Sequence, residues 1–153
     1  MNQVNRETSV SESVRVREMV ESFLQTQGID SFEAHVDDDM WVFRRGSASG
    51  HIALIEDEEE PEWSRLYVSF AVMKVPLSRA LRFYRRLLEI NDELGGTCSF
   101  SVDSTDVVWL SAGRKIEGLD LAELNELVMR TGFYADRYDD MLLDEYGREH
   151  SYR

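Results

Sequence analysis

Three histidines, His35, His51 and His150, and a single cysteine, Cys98, are the side chains best suited to metal ligation or base and nucleophile chemistry. A zinc site takes tetrahedral His/Cys ligands, usually in short-spaced pairs, and no histidine here stands at ligand spacing to another or to Cys98. The run Gly46-Ser47-Ala48-Ser49-Gly50 has the glycine frame of a nucleophile elbow, but alanine occupies its centre, so it reads as a turn. No glycine-rich loop is followed by the lysine that a phosphate cradle requires. The acidic run Glu56-Asp57-Glu58-Glu59-Glu60-Pro61-Glu62 lacks the spaced Asp/Asn and glycine of a calcium loop and reads as solvated. Asp136, Asp139, Asp140 and Asp144 lie mostly off the apolar stripe of their helix and are expected to face solvent. Cys98 falls on the apolar side of a predicted strand, the setting of an inert core thiol. No catalytic residue, cofactor or metal is therefore assigned, and the chain is expected not to be an enzyme.

Composition narrows the partners. The 153 residues carry 30 acidic and 17 basic side chains, a formal charge of −13. That excess repels phosphates, so direct nucleic-acid binding is not expected, nor is docking on anionic lipid. At 42% hydrophobic the chain can build one core. One cysteine excludes an internal disulfide, and the absence of a signal-type or membrane-length apolar run makes the cytoplasm the expected compartment.

The elements come from periodicity. Val16, Met19, Val20, Phe23 and Leu24 recur with helical spacing after the Ser9–Glu12 capping pair, predicting a helix from about residue 11 to 27, closed by Gly28. Residues 1–10 are expected to be a flexible leader, 147–153 a flexible tail, and 11–146 a single domain. Between 31 and 75 the period falls to two. Phe32, Ala34 and Val36 alternate with polar residues, Asp37-Asp38-Asp39 turns into Met40-Trp41-Val42-Phe43, the 46–50 turn leads to Ile52–Ile55, and Leu66–Met73 forms the longest strand. Short connections favour an antiparallel meander. A second helix follows Pro76, with Leu77, Ala80, Leu81, Phe83, Tyr84, Leu87, Leu88, Ile90 and Leu94 filling half its circumference. A hairpin through Asp103-Ser104-Thr105-Asp106 comes next, and the Asp120–Glu123 capping box opens a last helix. The order is α-β-β-β-β-α-β-β-α, an α+β fold with one antiparallel sheet.

Three features exceed what such a fold needs. Arg79, Arg82, Arg85 and Arg86 make a positive strip, either a solvated helix face or a contact for acidic or phosphate groups; Arg79, Arg82 and Arg86 are kept as candidate partner-binding residues. Asn91 sits among leucines and, once buried, must be hydrogen-bonded, tying its helix to a strand end or to a partner subunit. Ala122, Met129 and Phe133 form a second stripe on the last helix, and the strands 40–43 and 66–73 are apolar on both faces. Either helices cover both faces or part of this surface meets another protein. Trp41 and Phe43 are therefore candidate partner-binding residues, and Asn91, Ala122, Met129 and Phe133 candidates for a dimer contact.

Residues 64–146 resemble the YbjN family, whose fold is similar to that of the type III secretion chaperones. The resemblance rests on Phe70-Ala71-Val72-Met73-Lys74-Val75-Pro76, Leu87-Leu88-Glu89-Ile90-Asn91, the hairpin Ser99–Asp103 with Val107–Leu110, and Ala135-Asp136-Arg137-Tyr138. It implies a homodimeric α+β domain without transferable catalytic residues and with links to bacterial stress and sensory regulation. The expected function is protein binding, chaperone-like or adaptor; a small-ligand-sensing regulatory domain is the alternative.

Overall fold

A computed structural model describes residues 3–147. A long helix α1 (Gln3–Thr26) leads into a one-turn helix α2 (Ser31–Ala34) and strands β1 (His35–Asp37), β2 (Met40–Arg45) and β3 (Ala48–Ile55). A 3-10 turn at Pro61–Trp63 precedes β4 (Arg65–Lys74), and another at Leu77–Arg79 precedes α3 (Ala80–Leu94). The hairpin β5 (Ser99–Val102) and β6 (Val107–Lys115) and the helix α4 (Leu121–Tyr146) complete the chain. The strands form one six-stranded antiparallel sheet of order β1-β2-β3-β4-β6-β5. In its terminal hairpin, Phe100 faces Leu110 and Ser101 faces Trp109.

Two compact units partition these residues. The first takes in the chain up to Phe43, His51–Val68 and Gly113–Val128; Leu24, Trp41, Ile52, Leu66, Leu119 and Leu124 are its fully buried side chains. The second takes in Arg44–Gly50, Ser69–Ala112 and the chain from Met129, with Phe70, Met73, Phe83, Ile90, Leu110 and Leu142 fully buried.

Local chemistry explains the boundaries. Gly28 ends α1 at φ +74°, where the Ile29 amide reaches the Leu24 carbonyl (2.9 Å) and the Gly28 amide that of Gln25 (3.0 Å), the paired bonds of a left-handed cap. The helix begins at Gln3 rather than near residue 11, so Ser9–Glu12 lies inside it rather than at its start. Residues 1–2 of the expected leader and 148–153 of the expected tail lie outside the described residues. The strand expected through Phe32 and Ala34 is a helical turn instead. The Asp30 carboxylate accepts from the Phe32 amide (2.9 Å) and the Glu33 amide (3.4 Å), and this cap outweighs the alternating pattern. At α4 the capping box forms as expected, with the Glu123 amide on Asp120 (2.8 Å) and the Asp120 amide on Glu123 (3.1 Å).

Helix α4 runs through Gly132, which costs about 1 kcal/mol against alanine. The reason is a close approach: a Cβ there would lie 2.6 Å from a guanidinium nitrogen of Arg45 and 3.2 Å from the Phe70 ring. That same nitrogen donates to the Met129 carbonyl (3.2 Å), so glycine lets β2 grip the helix backbone. Arg15 performs a similar clamp in the first unit, donating to the Leu119 (2.6 Å) and Ile116 (3.3 Å) carbonyls while ion-paired to Glu12 (2.7 Å).

Candidate protein-binding surfaces

The positive strip on α3 is largely committed within the second unit. Arg86 pairs with Glu93 (3.5 Å) and with Glu145 of α4 (3.6 Å). The Arg79 guanidinium lies 5.1 Å above the Tyr146 ring, whose hydroxyl donates to the Arg82 carbonyl (3.5 Å). Arg85 pairs with Glu89 at 3.0 Å. Arg79 and Arg86, expected to be partner-binding, thus mark the seam where α3 is stapled to the end of α4, while Arg82, expected likewise, contributes its backbone carbonyl there. Exposed pairs of this kind contribute only about 0–1 kcal/mol each, and the orientation of the helix rests chiefly on its buried apolar side chains.

That orientation splits the apolar half of α3. Phe83, Leu87, Ile90 and Leu94 are buried. Leu77, Leu81 and Leu88 stay 78, 85 and 68% exposed, and Tyr84 joins them on the surface. Leu81, Tyr84 and Leu88, three and four residues apart, have the spacing of a helix-pairing seam, and Leu77 adjoins it from the 3-10 turn before α3. The residue pattern merged these two stripes into one. The signal that could have separated them is the width of the apolar arc, since a helix resting on one core needs little more than 100°.

Asn91 stands between the two stripes. Its amide nitrogen donates to the Phe100 carbonyl (3.2 Å) and its amide oxygen accepts from the Phe100 amide (2.7 Å). β5 is an edge strand, and Phe100 turns both backbone groups away from β6, so Asn91 supplies the missing ladder partner. Asn91→Ala leaves both groups unpaired in a part-buried site and is expected to lower stability by about 2 kcal/mol. Urea unfolding, together with faster hydrogen exchange at the Phe100 amide, checks this; an unchanged midpoint would refute it.

On β2 the alternation runs opposite to the expected use. Trp41 and Phe43, the candidate partner-binding aromatics, are 0 and 5% exposed and belong to the core. Their neighbours Met40 and Val42 face out at 36 and 41%. A surface role for the two aromatics is corrected accordingly: a strand presents alternate residues to opposite faces, and the large rings took the inner one. β4 differs, because Phe70, Ala71, Val72 and Met73 are all buried and both its faces are covered there. Ser69, its polar exception, is buried against the Ser111 hydroxyl at 2.7 Å.

On α4, Ala122, Met129 and Phe133 are exposed, apart from the buried stripe of Leu124, Leu127, Val128, Thr131, Ala135, Tyr138 and Leu142. Phe133, 59% exposed, is the outer end of an aromatic row: its ring meets Tyr134 edge-on at 5.5 Å, Tyr134 stacks on Tyr138 at 6.3 Å, and Tyr138 meets buried Phe100 at 5.6 Å.

The titratable groups are structural. Burial pushes the Cys98 thiol up and His51 down. The Trp109 indole N–H (2.8 Å), then the Thr105 hydroxyl and the Thr105 and Val107 amides, hold the Asp103 carboxyl far below the usual carboxylate range and close the β5–β6 turn. A depressed carboxylate adds stability above its unfolded pKa of about 4, and that contribution is lost as pH falls toward the folded value. Asp103→Asn is therefore expected to flatten the acid limb of the unfolding curve below about pH 4; an acid limb as steep as the parent's would remove the latch. Among the described residues, no three His, Cys, Asp or Glu side chains are grouped to hold a metal ion, and no helix is long and apolar enough to cross a membrane.

A six-stranded antiparallel sheet packed with helices defines the class: this is the fold of the type III secretion chaperones. A chain of the ExsC–ExsE complex superposes with a TM-score of 0.69 at 18% identity, covering 85% of this chain and 95% of that one. A chain of the HopA1–SchA chaperone–effector complex gives 0.62 at 11% identity, covering 84 and 95%. The heterodimeric ExoU–SpcU complex from the Pseudomonas aeruginosa type III secretion system gives 0.57 at 15%, covering 79 and 95%. Residues 17–144 match the model of the YbjN family, described as "Putative bacterial sensory transduction regulator", and the chain belongs to that family. No curated protein matches it.

Proposed function

We propose that this chain is a non-enzymatic protein-binding module, chaperone-like or adaptor in action, which works as a cytoplasmic homodimer in a bacterial regulatory or stress-response setting. The observation that carries this reading is the open seam Leu81, Tyr84 and Leu88 on a helix whose other apolar stripe is already buried, continued by Leu77 of the preceding 3-10 turn. Apolar side chains so exposed and so spaced gain free energy only when a second surface covers them. The chaperone-like fold and the complexes in which its structural neighbours occur support the same reading.

The dimer is assigned to α3 rather than to the Ala122, Met129 and Phe133 stripe because α3 is complementary to itself. Antiparallel pairing about a two-fold axis near Tyr84 sets Leu81 of each copy against Leu88 of the other, so the stripe covers itself. Affinity capture from a bacterial lysate at near-physiological salt, with crosslinking and mass spectrometry, tests the protein-binding reading. One or more partners are expected reproducibly, and their absence across replicate captures would overturn it.

The description of the family as a sensory regulator favours one second reading, a small-ligand sensor. A thermal-shift screen separates the two, since a ligand bound only to the folded state raises the melting temperature by mass action.

A further inference from the structure

The first unit carries a second open surface. Met40 and Val42 alternate with buried Trp41 and Phe43, and Ala53 and Ile55 alternate with buried Ile52 and Leu54. The Leu54 amide donates to the Asp39 carbonyl (2.9 Å), which places Met40 beside Ala53 and Val42 beside His51 on the outer face of β2–β3. Ile55, 55% exposed, continues that face to the end of β3.

The same strand ends carry the densest negative charge of the chain. Asp37 ends β1, Asp38-Asp39 turns into β2, and Glu56–Glu60 follows Ile55. Arg17 engages two of these carboxylates, Asp39 at 2.7 Å and Glu56 at 3.2 Å. Asp37, Asp38, Glu58, Glu59 and Glu60 remain exposed without an ion pair among the described residues.

We propose that the outer face of β2–β3, with its acidic rim, is the docking site for a basic amphipathic polypeptide segment of the partner. Apolar residues at every second position of such a segment match the two-residue repeat of the strands, and its Lys/Arg side chains meet the turn carboxylates. A nucleic acid or an anionic membrane is repelled by that rim. The proposal rests on the protein-binding reading above and names the chemistry of the segment bound.

Three synthetic peptides of equal length test it by fluorescence anisotropy on the intact protein: alternating Lys/Leu, alternating Glu/Leu and alternating Lys/Ser. The Lys/Leu peptide is expected to bind at least about tenfold tighter than either other, more weakly as salt is raised. Met40→Ser with Val42→Ser, both exposed positions whose fold is verified by thermal melting, is expected to abolish that preference over Lys/Ser. Asp37→Asn, Asp38→Asn and Glu58–Glu60 changed to Gln are expected to remove the salt dependence. Equal binding of the Glu/Leu peptide, or a Met40/Val42 variant that binds Lys/Leu as tightly as the parent, overturns the proposal. Failure of all three peptides also overturns it, while the protein-binding reading stands or falls separately on the lysate capture.

Discussion

Replacing Leu81 and Leu88 by Asp is expected to convert the proposed α3 dimer to monomers, raising the dissociation constant by at least about a thousandfold. A leucine moved from water into a packed interface contributes about 1.5–3 kcal/mol, and a two-fold interface contains each substituted position twice. A loss of about 1.5 kcal/mol at each of the four sites exceeds the roughly 4 kcal/mol that a thousandfold requires. Both side chains are mostly exposed within the chain, so the variant should melt like the isolated parent fold. Sedimentation velocity at micromolar concentration reads the result directly. A monomeric parent, or a doubly substituted dimer, would discard the α3 interface.

Trp41→Ala is expected to cost about 3–5 kcal/mol of folding stability, a large fraction of what a domain of this size possesses. Val42→Ala, one residue away, should change stability by less than about 0.5 kcal/mol. The contrast follows from alternation alone: Trp41 is fully buried and Val42 lies on the open face. The Trp41 indole N–H has no hydrogen-bond partner, and such an orphan donor carries a cost of about 1–3 kcal/mol. Trp41→Phe removes that donor as well as ring volume, so its loss should be clearly smaller than that of Trp41→Ala. Chemical unfolding of the three variants checks the series. If Val42→Ala proved as damaging as Trp41→Ala, the orientation of β2 would be wrong.

Much of this protein is legible in local pattern because the deciding interactions are local. Asp120 and Glu123 cap each other across three residues, and Gly28 closes α1 because its backbone is left-handed. The hairpin at Asp103–Asp106 is equally near in the chain. Where two local signals competed, pattern misled: the alternation of Phe32 and Ala34 spoke for a strand, and the single carboxylate of Asp30 turned the segment into a helix. The resemblance to the YbjN family rested on soft motifs in the right element order, and the family match over residues 17–144 is consistent with order carrying more information than any one motif.

What the sequence determined by itself is the inventory: an acidic chain, one sheet with helices, no metal-spaced ligands, and more apolar surface than a single core absorbs. Which surface stays open was decided by tertiary structure. Alternation says that Met40 and Trp41 face opposite ways, but not which face is inside, because that depends on what is packed there. The wheel of α3 says that half its circumference is apolar. Only tertiary packing turns Phe83, Leu87, Ile90 and Leu94 inward and leaves Leu81 and Leu88 outside, with Arg86–Glu145 and Arg79 over Tyr146 lying along the seam to α4. Asn91 shows the same division. Its burial among leucines demanded a polar partner, and the edge strand β5, nine residues on at Phe100, supplied it. Periodicity is a property of one element, whereas exposure is a property of what packs against it.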